Sequence, residues 1–216
     1  MELQAEFIEN FAFLDRSQKN AAKSAFLQHL LHNNAALEEM MTIRAYKGVL
    51  PSLAEGVYVD ESSVLVGDIV LAEDVSIWPL VAARGDVNSI RIGARTNVQD
   101  GSVLHLSRPS NGKPKGSPLI IGEDVTVGHK VMLHGCTLGN RILIGMGAIV
   151  MDDVVVEDDV IIGAGSLVPP GKRLESGYLY VGSPAKQARP LNDKEKAFLK
   201  ESASNYVQLK NEYLAG

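Results

Sequence analysis

From residue 57 onward an aliphatic side chain returns about every six positions. The anchors are Val59, Leu65, Leu71, Ile77, Ala83, Ile92, Val98, Leu104, Ile121, Val127, Leu133, Leu138, Ile144, Val150, Val156, Ile162 and Val168, and 13 of the 16 steps between them are six residues long. Four places after an anchor there is usually a small or β-branched residue, as at Ser63, Val75, Thr96, Ser102, Val125, Ala148 and Ser166. Glycine or an acid often follows the anchor, as in Ile121-Gly122-Glu123-Asp124. A period of six suits neither an amphipathic helix nor a hairpin array. It suits a triangular coil in which each hexad makes one short strand and one corner, the anchor pointing inward. Three hexads close one coil, and successive coils stack at the usual strand spacing of about 4.8 Å.

Three steps break the rhythm. The step from Ala83 to Ile92 carries three extra residues, the step from Leu133 to Leu138 is one short, and the step from Leu104 to Ile121 holds one hexad plus an 11-residue insertion. That insertion covers roughly Ser107 to Ser117 (SRPSNGKPKGS), and its Pro, Gly and Ser content predicts a protruding loop. Beyond the coil, residues 190–214 predict a helix with Asn192 as cap and Glu195 three places on. Its expected inner face is Phe198, Ser202, Asn205, Leu209 and Tyr213, with Leu199 and Tyr206 beside it. Apolar positions at Phe7, Phe11, Leu14, Phe26, Leu30 and Leu37 also predict a helical N-terminal extension. The expected organisation is therefore extension 1–44, coil 45–188 and terminal helix 189–216.

Composition narrows the function. A net charge of −5, with no basic cluster interleaved with aromatics, argues against nucleic acid as a partner. No apolar run approaches a membrane span, and acids at Glu2, Glu6 and Glu9 are the opposite of a signal peptide's start. A single cysteine, Cys136, forbids an intrachain disulfide and fits a cytoplasmic setting.

The histidines carry the chemistry. His29 and His32, three apart on the predicted extension, read as a solvated face. His105 and His134 each follow their anchor by one residue, and their hexads lie one coil apart once the insertion is discounted. They should stack on one face in adjacent coils, about 5 Å apart at the backbone. His129 follows its anchor by two and belongs to the neighbouring face, so one chain cannot gather all three. A threefold homotrimer can, with each site at a subunit interface. Arg84 falls in the column of His105 and His134, and Asp100 in that of His129, so these two should meet across the same interface, with Asp86 and Gln99 beside them. Three neutral imidazoles leave an open position on Zn²⁺, the arrangement of catalytic zinc. Fe²⁺ or Co²⁺ suits the same ligands.

Arg84-Gly85-Asp86, Asn97-Val98-Gln99-Asp100-Gly101-Ser102, Ile121-Gly122 through His129, His134-Gly135-Cys136 and Gly182-Ser183-Pro184-Ala185-Lys186 together resemble the motifs of the γ-class carbonic anhydrases, in particular a small bacterial subgroup. The resemblance runs from about residue 45 to 214. It implies an all-β core, a left-handed parallel β-helix of hexapeptide repeats with a C-terminal α-helix, although crossovers are usually right-handed. It further implies His105, His129 and His134 as metal ligands, Arg84, Asp86 and Asp100 as an interface ion network, and Gln99 as the group that orients the reacting water. The implied reaction is reversible hydration of CO₂ to bicarbonate. Asn205 and Tyr206 are candidates to reach the site from the terminal helix. One departure stands out: the family's archaeal prototype has proton-shuttling glutamates after its Arg-Gly-Asp segment and in the loop after the first histidine. Here Val87 and Asn88 follow Asp86, and the 107–117 loop has no acid. Two other functions fit the same scaffold: metal-dependent acyl-CoA thioester hydrolysis, and a non-catalytic metal-binding trimer. An acyltransferase with a single histidine base would not explain two stacked histidines and a third on the adjoining face.

Overall fold

The computed structural model describes residues 42–216. The predicted helical extension, with His29 and His32, lies outside them except for its last residues. There Ile43–Arg44 forms a strand rather than helix, pairing in parallel with Val64–Leu71 so that Ile43 stacks on Leu65.

The anchors form three columns, one per face of a parallel coil. One column stacks Val59, Ile77, Val98, Val127, Ile144, Ile162 and Tyr180. Another stacks Leu65, Ala83, Leu104, Leu133, Val150 and Val168. The third runs Leu53, Leu71, Ile92, Ile121, Leu138, Val156 and Leu174. The columns, apart from the partly buried Leu53 and Val59 at the open end, belong to one buried hydrophobic cluster. Leu53, Leu174 and Tyr180 continue the six-residue step beyond the aliphatic run. The hydroxyl residues four places after an anchor are buried at the corners, where Ser63 donates to the Trp78 carbonyl (2.6 Å), Thr96 to Gly122 (2.8 Å) and Ser102 to Gly128 (3.1 Å).

At one corner Asp74, Arg95, Asp124, Arg141 and Asp159 follow one another coil by coil, all in the left-handed backbone region with φ between 54° and 59°. That conformation costs a non-glycine residue about 1–2 kcal/mol. Charge alternation offsets it: Arg95 reaches Asp124 (2.7 Å) and Glu123 (2.9 Å) in the next coil, and Arg141 reaches Asp159 (2.7 Å) and Asp158 (3.0 Å).

The coil ends in a feature that a six-residue period does not announce. Tyr178–Gly182 pairs in parallel with Ile161–Ile162, then turns back antiparallel onto Ala185–Pro190. This hairpin covers the last rung, and its outer strand carries Lys186, Arg189 and Pro190, which blunt the new edge.

Helix α1, Asp193–Ala215, has the predicted capping box, with both Asn192–Glu195 hydrogen bonds at 3.0 Å. Its buried face matches the expected stripe at Ser202, with Leu199 beside it, and departs from it elsewhere. Leu199, Ser202, Ala203 and Lys210 face the coil, whereas Phe198, Leu209 and Tyr213 are exposed at 46%, 38% and 58%. Small residues let α1 approach a polar strip: Gln99 Nε2 donates to Asn97 Oδ1 (3.1 Å), Asn97 Nδ2 to Thr126 Oγ1 (3.1 Å), and Thr126 Oγ1 pairs with Ser202 Oγ (2.9 Å), all four residues buried. Farther along, Tyr206 and Tyr213 set their rings edge-on to Trp78, at 5.6 and 5.2 Å. Lys210 is wholly buried and holds Asp74 Oδ1 at 2.8 Å.

Two substitutions test this docking. Thr126→Val keeps the shape but strands the Asn97 amide and the Ser202 hydroxyl, and should lower unfolding free energy by about 1–3 kcal/mol. Lys210→Met leaves Asp74 without its cation; because Asp74 is partly exposed, the expected loss is about 1–3 kcal/mol, below that of a fully buried pair. Urea unfolding followed by circular dichroism measures both.

Candidate metal centre

Parallel pairing of Val103–His105 with Met132–His134 puts His134 directly on His105, the 11-residue insertion being extruded between the two strands as a loop. The ring centroids are 5.2 Å apart, and His105 Nδ1 lies 3.2 Å from His134 Nε2. Each ring is held from behind by a carboxylate. Asp86 Oδ1 is 3.0 Å from His105 Nε2, and Asp152 Oδ2 is 2.9 Å from His134 Nδ1. Burial alone would raise the Asp86 carboxyl, but the hydrogen bond from His105 and the charge of Arg84 outweigh it and hold it below the usual carboxylate range. At Asp152 burial is likewise outweighed by the polar hydrogens of Ser107 and His134.

Both acids are therefore ionised at neutral pH and only accept. His105 Nε2 and His134 Nδ1 are the nitrogens committed to the acids, which leaves His105 Nδ1 and His134 Nε2 turned on one point. Lone pairs facing at that distance repel unless a proton or a cation lies between them. The donor set thus fits a metal, supplying two of its ligands. Among the described residues, no three His, Cys, Asp or Glu side chains of one chain form a ligand group. Cys136, two residues from His134, is buried in the core, and burial pushes its thiol up to about 12, which keeps it protonated and out of the site.

His129 is on the adjoining face, as its repeat position requires. Its Nδ1 meets Asp100 Oδ2 at 3.0 Å, which leaves Nε2 free on an exposed side chain. Arg84 and Asp100 do not meet within one chain: Arg84 is turned to Asp86, and Asp100 to His129. Gln99 shares the face of His129 and Asp100, and its side chain is ordered by the polar strip under α1. Tyr206 packs on Trp78, and burial there, with some help from the Asp100 charge, raises its hydroxyl. Asn205 is exposed.

Beside the stacked histidines lies a cleft of about 630 Å³, lined by Arg84, Asp86 and Val87 on one side and by Arg108, Ser110 and Lys113 of the loop on the other. The loop is strapped down. Asn88 Nδ2 donates to the carbonyls of Ser107 (3.1 Å) and Lys115 (2.8 Å), Ser107 and Ser117 bridge its base, and Lys113 is bound to Asp153 and Ser117. The residue two places after Asp86 is thus a clamp, not a free position facing the cleft. Sequence reasoning misses Asp152, Asn88 and Lys113. Asp152 looks like one more corner acid of the repeat, and the clamps join segments whose folding together has no periodic signal.

The described helix is not long and apolar enough to cross a membrane. The chain matches two repeat models, the bacterial transferase hexapeptide over residues 135–170 and the hexapeptide repeat of succinyl-transferase over 118–151. It is 64% identical over 172 residues to the protein YrdA of Escherichia coli, covering 80% of this chain and 94% of that protein. It is 41% identical to mitochondrial gamma carbonic anhydrase 2 of Arabidopsis thaliana over 159 residues, 74% of this chain and 57% of the plant protein. A crystal structure of a hexapeptide transferase family protein from Anaplasma phagocytophilum superimposes with a TM-score of 0.75 at 38% identity, over 80% of this chain and 98% of that one. With this similarity, the left-handed hexapeptide coil and the paired histidines at one register, the chain belongs to the γ-carbonic-anhydrase-like family of hexapeptide-repeat proteins.

Proposed function

We propose that the chain works in the cytoplasm as a metal-dependent γ-type carbonic anhydrase, a homotrimer that interconverts CO₂ and bicarbonate at its subunit interfaces. The observation that carries this reading is the convergence of the His105 and His134 lone pairs, each ring fixed by an ionised acid behind it. His129 of the partner subunit, with Nε2 free, supplies the third imidazole. Zn²⁺ held by three neutral imidazoles supplies the Lewis acidity that brings ionisation of water near pH ~7, and Fe²⁺ or Co²⁺ accepts the same ligands.

The chain's own groups do the rest. Asp86 accepts from His105 and keeps it in the ligating tautomer, while Asp100 does the same for His129. Gln99 commits its Nε2 to Asn97, so its Oε1 is left to accept a hydrogen from water and orient it. Arg84 closes on Asp86 and offers its other N–H groups to an anion such as bicarbonate, and pairing with Asp100 of the partner subunit joins the faces. Val87 and Leu106 give CO₂ an apolar wall. Tyr206, raised by burial, stays protonated at neutral pH and packs its ring on Trp78. The transferase names of the repeat models describe the repeat that builds the coil and not the residues of this site.

Among the described residues, no carboxylate at the cleft is free to carry a proton outward. Asp86 and Asp152 are tied to the histidines, and Asp153 to Lys113. Proton release should therefore depend on external buffer. The test is stopped-flow CO₂ hydration on anaerobically purified, metal-assayed protein. The rate should be weak in dilute buffer and rise with imidazole concentration. Ser110→Glu, which places an acid in the cleft, should lessen that dependence, whereas Asn88→Glu would break the loop clamp. Sedimentation should give a trimer. No hydration at any buffer concentration, with full metal occupancy, would favour thioester hydrolysis or a non-catalytic trimer; a stable metal-loaded monomer would remove the shared site.

A further inference from the structure

We infer that Asp152 is a positioning residue for the metal: it fixes the tautomer and ring angle of His134, and so completes a carboxylate behind each of the three ligating histidines. The inference rests on the metal reading above and extends it to a residue that none of the family motifs includes.

Four observations converge on it. Asp152 Oδ2 lies 2.9 Å from His134 Nδ1, on the side of the ring opposite the nitrogen that faces His105. Its other oxygen, Oδ1, is shut away from solvent without a hydrogen-bond partner among the described residues, so the acid is held inside the site beside the ring rather than turned out to water. The backbone is shaped to admit it. Gly135, next to His134, has φ +52°, and a Cβ there would stand 2.5 Å from Asp152 Oδ1 and 2.6 Å from Ser117 Cβ. A side chain at residue 135 would push the acid off the ring. Finally, the neighbouring Asp153 is occupied elsewhere, binding Lys113 at the foot of the loop. Two adjacent acids thus split the work, one holding the ligand and one holding the loop.

A histidine ligand whose far nitrogen donates to a carboxylate is held in place and made more basic, and loss of such a partner weakens metal binding about 10- to 100-fold. The experiment is Zn²⁺ competition against a chromophoric chelator, with wild type, Asp152→Ala, Asp152→Asn and Asp153→Ala. Asp152→Ala should bind Zn²⁺ about 10- to 100-fold more weakly, and Asp152→Asn, which keeps an acceptor but not the charge, should lose less. Asp153→Ala should stay within about twofold of wild type. Thermal unfolding of the metal-free proteins should be unchanged by either substitution at 152, and the Co²⁺ absorption bands of Asp152→Ala should shift. Equal Zn²⁺ affinity in wild type and Asp152→Ala overturns the inference alone. So does an affinity loss matched by lower metal-free stability in both variants at 152, since that is a folding effect. A wild type that takes up no Zn²⁺ overturns the metal reading and the inference with it.

Discussion

The register of parallel hydrogen bonding between coils is the constraint on which the rest depends. Because Leu104 stacks on Leu133 inside the coil, the next residue outward in each strand must also stack, and both are histidines. The same register aligns Ala83 with Leu104. A slip of one residue would turn the anchors out and the imidazoles in, exchanging buried aliphatic surface for buried polar rings. The core thus enforces the geometry of the site, and the corner ladder of Arg95 and Arg141 with their acids resists the slip from outside.

Register alone would give two rings of undefined orientation. The acids make them a site. Asp86 and Asp152 approach from opposite ends of the pair, and each commits one nitrogen of a ring, which aims the remaining two nitrogens at each other. Asp100 does the same to His129 on the adjoining face. A single triangular coil presents these two sets on different faces, which is why the proposed site needs a second copy beside the first. Within the chain Asp86 is covered by His105 and Arg84, at 15% exposure of its side chain, while Arg84 itself stands out at 54%.

Much of this can be read in the sequence because a six-residue period leaves few choices. The columns of anchors, the stacking of His105 on His134 across an 11-residue insertion, and the separate face of His129 all follow from counting residues within hexads. The expectations that fail lie where periodicity stops. Helical spacing rightly puts Ser202 and Leu199 on the inner side of α1 but also points to Phe198 and Leu209, which are exposed, while Ala203 and Lys210 are buried instead, because the matching surface is the polar strip of Asn97 and Thr126. The closing hairpin at Tyr178–Pro190 keeps strand-like spacing while reversing direction, and nothing in an aliphatic period reports direction. Asp152 and Asn88 act on partners about one coil away or on the extruded loop, through single hydrogen bonds that have no compositional signature.

The central claim is that each metal site is shared between two subunits, and mixing subunits tests it most directly. His105→Ala spoils the face that carries the stacked pair, and His129→Ala spoils the adjoining one. Each variant alone should assemble as a trimer with metal content sharply below wild type. After the two are unfolded together and refolded at equal amounts, about one quarter of the interfaces should join two intact faces, so about one quarter of wild-type Zn²⁺ should return. If the mixture holds no more metal than the separate variants, the site is not shared between neighbours and the account is wrong.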